Sequence, residues 1–165
     1  ATIALPAPDT SSQPVTPQAL AAVVASQVGG SCAGDESSKN LLRGAVYLGA
    51  DTERVSLAIS TEPLKCPYLD ACEEDGDMIV ARQLDVPADY PVRIVVARPL
   101  PDGKHWVVAE HASLRAQQTG DFAVSLPTLK ALATDPRVGV QVDAALNSAG
   151  DELPLRWRVA ARTSE

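Results

Sequence analysis

The stretch from Cys66 to Ala81 constrains this chain most, because it sets a covalent option, a turn and a core strand in immediate succession. Cys66 and Cys72, with five residues between them, can close a small ring that removes unfolded-state entropy worth about 2 kcal/mol. The acidic run Glu73-Glu74-Asp75 follows, then Gly76 to turn the chain, then the apolar Met78-Ile79-Val80-Ala81. The order is loop, staple, turn, strand. Three cysteines allow three single pairings, the local one or either of these two with Cys32. Three free thiols, the cytosolic pattern, is the alternative to any bridge.

Strand signals surround this stretch. Val55, Leu57 and Ile59 alternate with Ser56, Ala58 and Ser60, which predicts a strand with one face on the core and one towards solvent. A partner strand is expected over 41–48, across a turn at 49–52, and a further strand over 78–84. Residues 92–97 are the most apolar strand and are expected at the centre. Pro101-Asp102-Gly103-Lys104 is a strong turn into a hairpin partner over 105–111. A short strand is expected at 122–126, a helix over 127–134 with Leu129 and Leu132 inward, and a last hairpin from 138–146 and 153–159. In that last strand Leu153, Leu155, Trp157 and Val159 share a face, and Pro154 confines it to an edge.

Thr16 is placed to cap a helix that starts at Pro17, carries the stripe Leu20, Val23, Val24 and Val28, and ends at Gly29-Gly30. The polar residues 31–40, with Cys32, read as a loop. No βαβ rhythm is present. The expected fold class is α+β: a mainly antiparallel sheet of about seven to eight strands, an N-terminal helix and one short helix near 127–134. Residues 1–15, rich in Ala, Pro, Ser and Thr with Asp9 the only charge, read as a flexible spacer before a single domain over 16–165.

Composition narrows the partners. With 45% hydrophobic but only 4% aromatic residues, the core must be built from Val, Leu, Ile and Ala. A net charge of −7 with its 14 basic residues scattered argues against nucleic acid or an anionic membrane surface. The longest apolar run, within 19–28, is broken by Ser26 and Gln27 and is too short to span a bilayer.

The cysteine pair, the acidic-Gly turn with its strand, the Pro-Asp-Gly hairpin and the segment Leu129-Lys130-Ala131-Leu132-Ala133-Thr134-Asp135-Pro136 together form a pattern. Over residues 41 to 137 it resembles the ectodomains of small membrane-anchored or secreted actinomycete proteins. That resemblance implies an extracytoplasmic domain held behind a transmembrane helix by a spacer such as residues 1–15. It brings no catalytic residues with it. Arg137 and the hairpin beyond it depart from the pattern, which tends to stop near the Asp-Pro with an aromatic.

Catalytic and metal chemistries fare poorly on spacing. An EF-hand loop with Gly76 at its sixth position would start at Ala71 and end at Arg82, and neither can ligate calcium. Five residues between the cysteines is outside the usual spacing of a zinc loop. His105 and His111 on a regular strand would share a face about 20 Å apart, too far to hold one metal. No Gly-x-Ser-x-Gly elbow and no Gly-rich phosphate loop is present. Neither cofactor nor metal is expected.

The leading expectation is a non-enzymatic extracytoplasmic binding or sensing module for a protein, peptide or cell-envelope component, possible also as the outer half of an anchored regulator. Its working surface is expected on the Cys66–Asp77 loop and neighbouring turns, with Tyr68 and Leu69 as apolar contacts and Asp70, Glu73 and Glu74 as acidic ones. Two alternatives stay open. One is a small hydrolase using Cys32 or a serine with His105 or His111; the other is a structural protein whose copies pair through the 153–159 edge.

Overall fold

The computed structural model describes residues 2–9, 11–49, 52–66, 71–154 and 157–159. Strand β1 (Ser12–Pro14) leads into helix α1 (Pro17–Val28), which starts where Thr16 Oγ1 accepts the Ala19 N–H at 3.2 Å. Strands β2 (Ser31–Ser37), β3 (Leu41–Leu48) and β4 (Glu53–Ser60) follow, then β5 (Ala71–Asp75), β6 (Met78–Gln83), β7 (Val92–Pro99) and β8 (Trp106–Ser113). The chain then turns largely helical: α2 (Leu114–Thr119), α3 (Leu126–Ala133), β9 (Gln141–Asp143), α4 (Ala144–Asp151) and finally β10 (Trp157–Val159).

Eight strands form one sheet in the order β10-β2-β3-β4-β8-β7-β6-β5. Seven of them run antiparallel to their neighbours, and β10 joins the edge of β2 in parallel. The fold is α+β, with the sheet, the N-terminal helix and the short helix near 127–134 that the sequence predicts. β4 and β8 sit at the middle. The strand expected there, β7, lies one place further out.

Four local expectations change. Residues 31–37 are a strand, because ladder bonds to β3 hold a small polar sequence that has little β-propensity of its own. Residues 122–125 are irregular, and Ser125 instead caps α3 by accepting the Thr128 N–H. The strand expected over 138–146 is only three residues long. Asp143 Oδ1 accepts the Ala145 N–H at 2.9 Å and opens α4, whose Ala-Ala-Leu-Asn-Ser-Ala favours helix. β10 consequently has no hairpin partner there and finds β2, although it is an edge strand as Pro154 suggests.

The helices lie on one side of the sheet. α1 packs on β2, β3 and β4, α3 on β7 and β8, and α4 on α1. Val46, Val55, Leu57, Ile59, Val96, Val107 and Ala109 meet Leu20, Val23, Val24, Leu129 and Leu132 in the core. The close approach is set by Gly44, where any Cβ would collide with the Pro17 carbonyl and the Ala21 amide. Gly150 plays the same part between α4 and α1, since a Cβ there would stand 2.5 Å from Ala19 N.

Residues 2–9 and 11–15, expected as a free spacer, carry contacts to this body. β1 pairs with β9, Val15 N–H donates to Val140 O at 2.9 Å, and Ile3 and Leu5 pack at the margin of the core. Buried Asn147 donates from Nδ2 to Pro14 O and Gln13 Oε1, and its Oδ1 accepts from Thr16 N–H. Composition undervalued the segment because its bonds come from backbone and from the distant side chains of Asn147, Asp143 and Gln141.

Two outcomes follow for stability. A chain starting at Val15 loses the β1–β9 pairing, the Asn147 bonds to Gln13 and Pro14 and the packing of Ile3 and Leu5, about 2–3 kcal/mol in sum, and its melting temperature should fall roughly 4–10 °C; an unchanged melting curve would show that the segment's contacts contribute nothing. Gly44→Ala should push α1 off β3 at a cost of about 3 kcal/mol, read as a Tm drop of roughly 6–12 °C.

Candidate functional site

With every packed helix on one face, the opposite face of the sheet has to be finished another way. Alternation places Arg43, Ala45 and Tyr47 of β3 on it, beside Arg54, Ser56, Ala58 and Ser60 of β4. Val108, Glu110 and Ala112 of β8 and Arg93, Val95 and Ala97 of β7 complete it. The serine-alanine face of β4, expected towards water, is not there: Ser56 and Ala58 are each 1% exposed. Small residues occupy the central strands of this face and are covered, with longer side chains around them.

That loop is residues 61–66, which leave β4 in mid-sheet and must cross β8, β7 and β6 to reach β5 at the far edge. Glu62, Pro63, Leu64 and Lys65 form one wall of a cleft of about 460 Å³, and Arg43, Ser60, Arg93, Val95, Val108 and Glu110 form the base and the other wall. The strap is held at its far end by a disulfide between Cys66 and Cys72. Cys72 lies opposite Ala81 on the same face of the sheet, so the bridge ties the loop down on the cleft side. This is the local pairing among the three that the sequence allows.

The polar centre of the face is an arginine–glutamate–arginine array. Glu110, only 6% exposed, accepts from Arg54 Nη2 on Oε1 at 3.2 Å and from Arg93 Nη1 on Oε2 at 3.3 Å. Arg93 Nε donates to Gln83 Oε1 at 2.9 Å, and Arg43 Nη1 donates to Glu36 Oε1 at 3.0 Å across the β2–β3 ladder. Two guanidiniums on one carboxylate leave a net positive charge. Each guanidinium has five N–H donors, and among the described residues Arg43 and Arg54 each use only part of theirs. The buried Nε–H groups of both make no hydrogen bond to a described residue. The side chains of Arg43, Arg54 and Arg93 are about a quarter to a third exposed, so their outer nitrogens can offer donors to an anion.

A second polar cluster lies on the helix side, where β4 and β8 meet α2. Glu53 Oε1 accepts from Ser113 Oγ at 3.0 Å and from the Ala123 N–H at 3.1 Å, and His111 Nε2 stands 3.2 Å away. His111 is wholly buried and packs edge-on against Phe122, with ring centroids 5.2 Å apart. Burial pushes the imidazole below its ordinary value and keeps it neutral, against the pull of Glu53. Burial also pushes the Glu53 carboxyl upwards, but the bonds from Ala123 and Ser113 with His111 and Arg115 nearby outweigh it and hold it low.

Serine, histidine and a carboxylate meet here in the wrong order for nucleophilic catalysis. The carboxylate sits between the other two, whereas a nucleophile needs the histidine on its own hydroxyl. Ser113 Oγ is also committed to the Ala116 N–H as the cap of α2. The cluster pins β4, β8, α2 and residues 121–125 together.

The residues expected to form the working surface fall out differently. Tyr68, Leu69 and Asp70 lie outside the described residues. Glu73 is exposed and bound to Arg82 Nη1 at 3.0 Å, and Glu74 is exposed on the outermost strand, β5. Asp75 accepts from Lys130 Nζ at 2.6 Å, which joins the acidic hairpin to α3. His105 is in the turn, not on the strand, with Nδ1 2.6 Å from Asp102 Oδ2. Backbone N–H groups from Lys104 and His105, with that imidazole, lower the Asp102 pKa to about 2. Cys32 lies in β2. Among the described residues no group of three or more His, Cys, Asp or Glu is placed to hold a metal.

Sequence reading missed Arg43, Arg54, Arg93 and Glu110. Their only local signal is that each holds the outward parity of its strand. The chain matches no protein-family model, no curated protein and no solved structure. No helix among the described residues is long and apolar enough to cross a membrane.

The buried histidine makes a pH prediction. Unfolded, His111 titrates near 6.5, whereas folded it refuses the proton, so the unfolded state binds more protons below that pH. Stability should be full above pH 6.5 and fall as pH drops from there. Glu53 and Asp135, both held low, add a second fall at more acidic pH as they are protonated. His111→Leu should flatten the melting-temperature curve between pH 6.5 and about 5 while keeping the more acidic limb; an unchanged slope would place the titrating group elsewhere.

Proposed function

We propose that this chain is a non-enzymatic binding module that works outside the cytoplasm and seats an anionic group of its ligand in the strapped cleft of the helix-free sheet face. The observation that carries the reading is the cleft itself: Arg43 and Arg93 at the base beside Ser60, Val95 and Val108, and a covalently anchored strap above. The disulfide suits an oxidising compartment, and the ectodomain pattern of residues 41–137 points the same way. The wrong order of Ser113, Glu53 and His111 counts against the hydrolase alternative.

Charge supports an anion over a cation. The face gathers Arg43, Arg54, Arg93 and Lys65 around Glu36, Glu62 and Glu110, in a chain with 14 basic and 21 acidic residues. Arg93 and Arg43 present planar forks, which suit a carboxylate or phosphate better than a point charge does.

Thermal shift against acetate, succinate and inorganic phosphate tests this. An anion at ten times its Kd adds about 1.4 kcal/mol, a rise of roughly 3–5 °C. At least one of the three should raise the wild-type Tm at constant ionic strength and leave the Arg43→Gln, Arg93→Gln double variant unmoved. If none does so, or if the double variant responds equally, the cleft is not an anion seat.

A further inference from the structure

We infer that the ligand of this face is an extended acidic peptide of another protein, carrying one apolar residue beside its carboxylates; this rests on the reading of the cleft as an anion seat. The independent observation is a second hollow on the same face, about 200 Å³, lined by Tyr47, Thr52, Arg54, Pro91, Ala112 and Leu114. It is predominantly apolar, whereas the cleft is mostly polar.

The two depressions share a wall. Arg54 lines the hollow, while Glu110 and Arg93, to which it is linked through the carboxylate, line the cleft. The exposed large hydrophobic residues among those described are Leu84, Tyr90 and Leu114, at 49%, 57% and 40%. They do not scatter: Leu84 follows the end of β6, Tyr90 precedes β7 and Leu114 follows β8, which the register brings to one end of the sheet. That is also the end that holds the hollow. Apolar exposure confined to one place beside a cationic array marks a contact surface.

Geometry then gives the spacing. Ala112 borders the hollow and Val108 the cleft, four residues apart on β8, or about 13 Å along an extended chain. A peptide lying along the strands would put an apolar side chain in the hollow and a carboxylate at Arg54 and Arg93. A second carboxylate, four residues on from the apolar side chain and so on the same side of the extended peptide, would reach Arg43 and Lys65. A basic peptide would meet four cations set against three carboxylates, a face of net positive charge. The acidic character of the chain elsewhere keeps such a ligand off the rest of the surface and steers it here.

The test is an amide-shift titration of the full ¹⁵N-labelled chain with three synthetic nonapeptides at constant ionic strength. One carries a leucine with glutamates two and four residues later, so that all three side chains face the sheet; the second has both glutamates changed to glutamine, and the third to lysine. Acetate and phosphatidylglycerol vesicles are run beside them, and the oligomeric state is checked by light scattering. The acidic peptide should move amides around both the hollow and the cleft, with the glutamine form at least tenfold weaker. Leu114→Ala and Arg43→Gln should each weaken it at least fivefold with Tm within 2 °C of wild type. If acetate moves the cleft amides and the peptide adds nothing at the hollow, the anion seat stands and the peptide inference falls. If neither moves the cleft, both fall. Equal binding of the lysine peptide, binding of vesicles alone, or a concentration-dependent dimer that occludes the face also overturns the inference.

Discussion

The seat of α1 on β3 at Gly44 is the contact on which the rest of the architecture depends. Only a residue without Cβ lets the Pro17–Ala21 turn come down on the strand. That closeness buries the alanine- and valine-rich helix from Ala19 to Ala25. With few aromatics in the chain, small side chains must fill the core, and they do so only at short helix–sheet distances. α4 repeats the device on the outside of α1 through Gly150.

Concentrating the helices on one side leaves the other side of the sheet to a different solution. A central eight-residue strand such as β4 or β8 cannot leave a wholly apolar second face in water, and a wholly charged one would repel itself. The face instead carries covered Ala and Ser side chains on its central strands, an Arg54–Glu110–Arg93 array and a disulfide-anchored strap. Glu110 is the costly member, a carboxylate nearly out of water, and its two arginines compensate for the lost hydration. The arginines themselves are about a third exposed, so their guanidiniums reach the surface of this face.

Much of this fold was legible in the sequence because its signals were local. Thr16-Pro17, the alternation of 53–60, the Asp102-Gly103 turn and the short Cys66–Cys72 separation each depend on neighbours in the chain. What escaped depended on distant partners. β2 is a strand only because β3 is there to bond with it, and residues 11–15 are held by an asparagine from α4. The candidate site escaped for the same reason. Arg54, Arg93 and Glu110 come from three strands, and their meeting is a consequence of register, which no single strand's pattern displays. The solvent-facing reading of Ser56 and Ala58 failed because parity tells which face a residue takes, not what lies above it.

The claim that one face is a packed core and the other an open, strapped cleft can be tested on adjacent residues of β8. Val107 is wholly buried beneath the helices, and Val108, half-buried, lines the cleft. The measurement is the melting temperature of Val107→Phe against Val108→Phe. Overpacking the core at Val107 should cost about 3 kcal/mol, a fall of roughly 6–12 °C. The cleft should take the ring at Val108 with Tm within about 2 °C of wild type. Equal falls for both variants would mean that the second face is packed as tightly as the first, and that no cleft is there to receive a ligand.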